Sequence, residues 1–126
     1  MIADAPPAFA CIVVSVHDGD GPIACANGVK VRVAGIQAPD WEDAPPCRQH
    51  RPGYVCDDVK AAASQRIVAK LVLGKTLTCH PVGTSFARIV ARCTLPDRSD
   101  LACSIVTLGA AEWWPEYVRR YHLRRC

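Results

Sequence analysis

Two arginines stand where a side chain could bind an anion. Apolar and polar residues alternate through residues 29–36 and again through residues 86–95, the pattern of half-buried strands. The alternation turns Arg32 and Arg88 away from the core. A guanidinium in such a position can hold a phosphate through two parallel hydrogen bonds, and otherwise it is an ordinary solvated side chain. Both interpretations are open at this point.

The eight cysteines are the second chemically distinctive feature. No two of them are spaced as Cys-x-x-Cys, and the four histidines are scattered, so the spacing does not indicate a zinc site. We expect disulfides and an oxidising compartment. The alternative is a set of buried free thiols that act as small apolar side chains.

Eight cysteines allow about a hundred complete pairings, and local geometry narrows the choice. One pair brackets the second half of a proline-rich loop, and a second pair lies on one face of a predicted hairpin. A third pair joins two adjacent strands, and the fourth pair is what remains. In that order the predicted pairs are Cys47–Cys56, Cys79–Cys93, Cys11–Cys25 and Cys103–Cys126.

Length and composition predict one globular domain, because 126 residues of ordinary apolar and charged content enclose a single core. We expect residues 1–10 to be a disordered or loosely packed leader, and residues 11–126 to form the domain with a short basic tail. No apolar run approaches the ~20 residues of a membrane helix, so we expect a soluble protein, most simply a monomer. The net charge of +3 suits a polyanionic partner without requiring one.

The cellular location is predicted from the cysteines. We expect the periplasm or the cell exterior, where disulfides persist. Residues 1–7 lack the basic start and the apolar stretch of a signal peptide. Either the sequence is a mature form with an added Met1, or the compartment is not an oxidising one.

Five strands are predicted from alternation and from the turn signals between them. In the first strand, Ile12, Val14 and Val16 share the face opposite Ser15 and His17, which predicts that these three are buried. The predicted strands are residues 11–17, 23–25, 29–36, 75–82 and 86–95.

Helices are predicted after the third strand and after the fifth. The first begins at Asp57 or Asp58 and ends at Leu73, before Gly74; the second follows Asp100 and ends near Ala111. The buried side of the first repeats at Val59, Ala63, Ile67 and Leu71. This order predicts an α+β protein, a five-stranded OB-like Greek-key β-barrel with two to three helices.

The C-terminal segment combines aromatic and basic residues. Tyr117 and Tyr121 lie among four arginines, a composition that suits base stacking and backbone contacts on single-stranded nucleic acid. A solvated terminal helix is the favoured alternative. We expect Trp113 and Trp114 to be packing residues rather than stacking platforms.

Four sequence blocks, in order, resemble the signature blocks of the staphylococcal nuclease (thermonuclease) family over about residues 11–117. Residues 14–20 (VSVHDGD) and 31–40 (VRVAGIQAPD) resemble the first two blocks. Residues 74–76 (GKT), 88–92 (RIVAR) and the stretch from Asp100–Leu101 to 108–110 (LGA) resemble the others. The cysteine pairs resemble those of exported bacterial members.

The resemblance implies calcium-dependent hydrolysis of DNA or RNA phosphodiesters. It assigns phosphate binding to Arg32 and Arg88, which would neutralise the charge that develops on phosphorus. It places Asp20, Gln37 and the Ala38 carbonyl at the metal-ligand positions and Asp40 at the position of the general base. The cation would supply fixed positive charge and orient the attacking water.

Three of these positions depart from the family pattern. Ala38 stands where the family has a threonine, and the main-chain carbonyl survives that change. Gln37 stands where the family has a second metal carboxylate, so calcium binding should weaken. Asp40 stands where the family has a glutamate; it is one methylene shorter, and about 1 Å of misplacement can reduce a rate a hundredfold. Glu42 and Asp43 lie nearby as alternative bases. A second hypothesis therefore follows, in which the domain binds nucleic acid or a protein partner without cleavage.

Overall fold

A computed structural model describes residues 6–126, in which strands and helices alternate along the chain. The strands are β1 (Phe9–Val16), β2 (Ile23–Cys25), β3 (Lys30–Val33), β4 (Ile36–Gln37), β5 (Thr76–Ser85), β6 (Arg88–Thr94) and β7 (Glu112–Trp113). The helices are α1 (Pro45–Arg48), α2 (Asp58–Val72), α3 (Leu101–Thr107) and α4 (Pro115–Arg120).

Five of the strands close into a barrel in the order β1, β2, β3, β6, β5. All neighbours are antiparallel except β3 and β6, which run parallel. The remaining strands, β4 and β7, form a small antiparallel sheet. The predicted α+β barrel is confirmed. Residues 6–126 contain four helices rather than two to three, because the proline pair at Pro45 and Pro46 starts the extra single turn α1.

The first strand starts earlier than predicted and buries a different face. Phe9 and Ala10 belong to β1 and pair with β5, so the predicted leader is shorter than ten residues; residues 1–5 of it lie outside the described part of the chain. Cys11 and Val13 are buried, whereas Ile12 and Val14 are exposed, so the predicted face was wrong. A bulge between Val13 and Ser15 then changes the alternation and returns Val16 to the core.

The long helix α2 begins as predicted but is rotated. Asp57 caps it by accepting a hydrogen bond from the Lys60 backbone N–H at 3.0 Å. Its buried residues are Ala61, Ser64, Val68 and Val72, whereas Val59 is exposed. The predicted stripe lies on the flank of the helix. The prediction counted only apolar residues and so left out Ser64, which is buried because its hydroxyl donates to the Ala110 carbonyl at 2.6 Å.

Two elements end earlier than predicted, each at a glycine in the left-handed region. β3 ends at Val33 because Gly35, at φ 79°, turns the chain into β4, which pairs with β7 instead of the barrel. α3 ends at Thr107 because Gly109, at φ 77°, follows its C-cap. The first of these turns shapes the site described below.

All four predicted disulfides are present, and no cysteine of residues 6–126 is free. Three of them link neighbouring segments: β1 with β2, β5 with β6, and helix α1 with the end of the loop before α2. Cys103–Cys126 attaches the C-terminus to α3. The alternative of free thiols is therefore wrong. Four disulfides fit an oxidising compartment.

The core fills the barrel and the space between it and helices α2 and α3. Its largest fully buried side chains come from the barrel, β4 and the two helices: Val13, Ile23, Val31, Val33, Ile36, Val68, Val72, Leu77, Leu101 and Ile105. In residues 6–126 no helix is both long and apolar enough to cross a membrane.

Candidate functional site

Arg32 lies on β3 and is fixed by the turn that follows it. Its Nη1 donates to the Val33 carbonyl at 2.8 Å, and its Nη2 donates to the Ile36 carbonyl at 3.0 Å. Gly35 allows this turn, since its φ is positive and an added Cβ would lie 2.5 Å from the Leu123 side chain. The Arg32 side chain is only 16% exposed. It is therefore a positioned guanidinium and not a solvated one.

Asp20 lies in the turn that precedes β2, on one side of Arg32 that also carries Gln37 and Asp40 and that we call the acidic side. Its Oδ2 accepts from the Ala38 backbone N–H at 2.8 Å and lies 3.5 Å from the Arg32 Nη2. The turn is closed by the Gly21 N–H donating to the Asp18 carbonyl, and the Asp18 Oδ1 accepts from the Asp20 N–H at 3.3 Å. Gly19 must be a glycine here, because an added Cβ would lie within 2.8 Å of the Ala38 Cβ.

Gln37 connects Arg32 to Asp40. Its Oε1 accepts from the Arg32 Nη2 at 3.3 Å, and its Nε2 donates to the Asp40 Oδ2 at 2.9 Å. The Asp40 backbone is held as well, because its N–H donates to the Val55 carbonyl and its carbonyl accepts from the Asp57 N–H. The structure thus brings four of the predicted residues, Asp20, Arg32, Gln37 and Asp40, into one hydrogen-bonded group.

The carboxyl groups of this side perturb one another. Burial, and then the nearby Asp20 carboxylate, raise the pKa of Asp40 to about 6, although Arg32 and the hydrogen bond from Gln37 act in the opposite direction. Burial and the same Asp20 charge raise the pKa of Asp18 to about 9. At neutral pH, Asp40 is therefore largely ionised, and Asp18 is protonated.

Arg88 lies at the start of β6, on the other side of Arg32. The parallel register sets Val90 opposite Arg32, so that Arg88, two residues before Val90, lies on the same face of the sheet as Arg32. Arg88 is held less tightly than Arg32, through its Nε to the Ser85 carbonyl at 3.2 Å and its Nη2 to the Ser85 Oγ at 3.4 Å. Both arginines line one cleft of about 310 Å³, which we call the arginine cleft.

Aromatic rings form much of the remaining wall of the arginine cleft. Tyr54, Trp114, Tyr117 and Tyr121 line it, and their rings pack against one another in sequence, with centroids 4.7–6.2 Å apart. Phe86 lies at the rim on an exposed turn. Trp114 is thus a packing residue, as predicted, and also part of the cleft wall.

The basic tail divides into two faces. Tyr117 and Tyr121 turn toward the arginine cleft, whereas the side chain of Arg120 contacts Glu116 at 3.4 Å and covers the Tyr117 ring from outside. All four tail arginines are exposed, and none of them lines the cleft. The expected combination of stacking and basic residues is therefore split between the cleft and the outer surface.

The alternative base Glu42 is occupied elsewhere. Its backbone N–H donates to the Asp58 Oδ1 at 2.8 Å, and its Oε2 accepts from the Asp58 N–H at 3.3 Å, at the start of α2. Asp43 is exposed and has no side-chain contact with the group around Arg32 among the described residues. Asp40 is accordingly the carboxylate best placed to act beside Arg32.

Two of the three residues expected to bind calcium, Gln37 and Asp20, already use an oxygen within the protein. The Gln37 oxygen accepts from Arg32, its amide nitrogen faces Asp40, and one Asp20 oxygen accepts from the Ala38 N–H. Residues 6–126 hold no cluster of three or more His, Cys, Asp or Glu side chains that could bind a metal ion. As arranged, these residues do not fit a calcium ion. The calcium requirement stays a prediction.

The sequence matches no model of a protein family, and it matches no curated protein.

Proposed function

We propose that this protein binds DNA or RNA through a phosphate held by Arg32 and Arg88 and hydrolyses the phosphodiester bond, with Asp40 as the general base. One observation carries the proposal: the two arginines line the same cleft, and Asp40 lies one hydrogen-bonded residue away from Arg32, beyond Gln37. A cation pair beside a carboxylate is the arrangement that a water attack on a phosphodiester requires.

Asp40, the two arginines and one water molecule can carry out the hydrolysis. Asp40 accepts a proton from a water molecule while the water oxygen forms a bond to phosphorus. The bond from phosphorus to one ester oxygen breaks, and that oxygen leaves with the electron pair and takes a proton from protonated Asp40 or from solvent. Arg32 and Arg88 compensate the negative charge that builds up on the phosphoryl oxygens. The pKa of Asp40, raised to about 6 by burial and by Asp20, suits a base that works near neutral pH.

The cleft wall favours nucleic acid over a simple phosphate ester. Four aromatic rings next to the arginines offer surfaces on which a base can stack, and stacking contributes about 1–3 kcal/mol per base. The resemblance of residues 31–40 and 88–92 to thermonuclease blocks supports the same assignment, because it selects the same two arginines.

A second function, binding without cleavage, is favoured by one contact. The Gln37 amide donates to Asp40, so that a hydrogen-bond donor occupies a place where the family pattern has a carboxylate. The contact ties up an oxygen of the candidate base and withholds a ligand from a cation. In this case the arginine cleft would grip phosphates of nucleic acid or of a protein partner, and no bond would break.

Hydrolysis of single-stranded DNA, with calcium and with chelator, tests the proposal. We expect cleavage by the wild type, and a loss of roughly 100-fold or more in Arg32→Ala and in Arg88→Ala, since each removes a charge that acts on the transition state. Arg66→Ala is the control, because Arg66 is an exposed arginine of α2 outside the cleft.

The assays with calcium and with chelator distinguish cleavage that depends on calcium, cleavage without it, and binding without cleavage. Cleavage that needs calcium would mean that Gln37 and Asp40 rearrange to admit the ion, as the family resemblance implies. Cleavage in chelator would mean that the arrangement described above is itself competent. Retention of DNA without cleavage under either condition would leave the binding function, and equal activity in Arg32→Ala and wild type would refute the assignment of the site.

We also propose that the protein works in the periplasm or outside the cell. The four disulfides support this location, because thiol-rich cytosol would reduce them.

A further inference from the structure

The arginine cleft has a third arginine and an excess of positive charge. Arg51 lines it together with Arg32 and Arg88, and its lining among the described residues includes no aspartate or glutamate. Arg32 is compensated by Asp20 at 3.5 Å, whereas Arg51 and Arg88 form no ion pair within residues 6–126. Two uncompensated guanidiniums in one cleft repel each other, and bound anions would remove that repulsion.

The neighbouring cleft does not share this excess. A second cleft of about 360 Å³ lies across Trp114, which lines both, and its charged lining residues are Lys60 and Glu112, one of each sign. An unspecific surplus of surface arginine and lysine would not favour one of two neighbouring clefts. The three arginines therefore indicate that the arginine cleft is the place where phosphate groups bind.

Arg51 is held at the cleft by a loop that is fixed at both ends. The Cys47–Cys56 disulfide closes the loop, and the Arg51 N–H donates to the Pro46 carbonyl at 3.0 Å. Further along the loop, the Tyr54 ring packs edge-on against Trp114 at 5.5 Å. Next to it, the Val55 carbonyl accepts from the Asp40 N–H at 2.7 Å, so that the loop is bonded directly to the candidate base.

The Arg51 side chain itself is free to take a ligand. It is exposed, and within residues 6–126 it makes no side-chain hydrogen bond or ion pair. Arg32 differs, since its donors are largely used by the protein. A fixed backbone with an uncommitted guanidinium is the arrangement of a residue that binds a group supplied from outside.

We propose that Arg51 binds a second phosphate of the nucleic acid, adjacent along the strand to the phosphate held by Arg32 and Arg88. The inference rests on the proposed function and extends it from one phosphate to two. Because the loop that carries Arg51 is closed by Cys47–Cys56, the second phosphate site requires that disulfide. Ligands with two neighbouring phosphates then bind more tightly than ligands with one.

Calorimetry with two thymidine dinucleotides tests this. Both carry a hydrolysis-resistant phosphorothioate linkage, one has an additional 5′-phosphate, and both are measured with chelator present. In the wild type we expect the 5′-phosphate to tighten binding roughly 10-fold. Arg51→Gln should reduce this gain to less than ~2-fold, because the variant keeps a polar side chain and removes the guanidinium.

A matched control and a loop variant complete the test. Arg48→Gln removes the same charge from an exposed position of the same loop that does not line the cleft, and it should keep the full gain. Cys47→Ser/Cys56→Ser should lose the gain while its circular dichroism spectrum stays that of the folded barrel. Thermal melts of all variants show that they are folded at the assay temperature.

The outcomes separate this inference from the proposed function. If the wild type binds neither dinucleotide, both are wrong. If the wild type binds both with equal affinity, or if Arg51→Gln keeps the gain, phosphate binding at Arg32 and Arg88 stands and the role of Arg51 is refuted. An equal loss in Arg48→Gln would also refute it, because the effect would then be general attraction of charge.

Discussion

The two sides of Arg32 differ in how far the protein satisfies its own polar groups. On the acidic side, Gln37 is hydrogen-bonded to both Arg32 and Asp40. Asp20 accepts a hydrogen bond from the Ala38 backbone N–H, and the Asp40 backbone is bonded to the following loop. On the side of the arginine cleft, the guanidiniums of Arg88 and Arg51 lack a carboxylate partner among the described residues. The acidic side is complete without a ligand, whereas the cleft is not.

This difference suggests that phosphate binding and bond cleavage are separable in this protein. Binding would use the cleft, which is open to a ligand. Cleavage would require that the hydrogen bond between Gln37 and Asp40 gives way or leaves the second Asp40 oxygen free for water. Mutations on the two sides should therefore have different signatures.

The largest effect on the acidic side is expected from Asp40→Asn. The variant removes the base and keeps the shape, so kcat for DNA hydrolysis should fall on the order of 100-fold or more, and the Kd for DNA should stay within ~3-fold. In the wild type, kcat/KM should rise with pH through about 6, because the base must be ionised and burial with the Asp20 charge raises its pKa to about 6. The profile of the residual activity should lose that rise.

Asp43→Asn is the control for this prediction, since Asp43 is an exposed carboxylate of the same loop region. It should leave both the rate and the pH profile unchanged. If Asp40→Asn weakens DNA binding as much as it slows cleavage, the two sides of Arg32 act as one unit, and the separation argued above is wrong.

The cleft also marks the limit of what the sequence could predict. Strand alternation turned Arg32 and Arg88 outward, and the order of the elements gave the barrel, because both depend on local pattern. Arg51 and Tyr54 lie in a proline-rich loop without periodicity, so nothing local indicated where they point. Their position depends on long-range contacts, with Val55 bonded to Asp40 and Tyr54 against Trp114.

The errors in the fold have similar causes. The faces of β1 were misassigned because Cys11, which is buried in a disulfide with Cys25, was not counted among the apolar positions, and because the bulge after Val13 reverses the alternation. The rotation of α2 was missed because Ser64 is buried through a tertiary hydrogen bond. In both cases a tertiary contact, a disulfide in β1 and a hydrogen bond in α2, buries a residue that a pattern of apolar side chains does not include.

A moderate effect is expected from Gln37→Glu, which restores a carboxylate to the acidic side. The new group faces Arg32 but lies beside the Asp40 carboxylate, so like charges meet, and a cation would relieve their repulsion. Calcium affinity, measured by calorimetry without DNA, should increase roughly 10-fold. Without calcium, the added negative charge should raise the pKa of Asp40 and move the pH midpoint of activity upward.

Gln49→Glu adds the same charge at an exposed position after α1 and should leave calcium affinity unchanged. Equal calcium affinity in Gln37→Glu and wild type would contradict the idea that the amide is what closes the acidic side. The comparison with the arginine cleft would then rest on charge alone.

The smallest effect concerns stability and comes from Asp18. The acidic side satisfies its hydrogen bonds but not its charge, because burial and the Asp20 carboxylate raise the pKa of Asp18 from 3.8 to about 9. Between these values the folded protein binds a proton that the unfolded chain releases, so the free energy of unfolding should fall as pH rises from about 4 to 9.

Asp18→Asn keeps the oxygen that accepts from the Asp20 N–H and removes the titration. Relative to wild type, the variant should become progressively more stable as pH rises from 5 to 8 in urea unfolding, and Asp43→Asn should not. Parallel pH dependences of Asp18→Asn and wild type would mean that Asp18 is ionised in the folded state, and that Arg32 compensates the acidic side more fully than its contacts indicate.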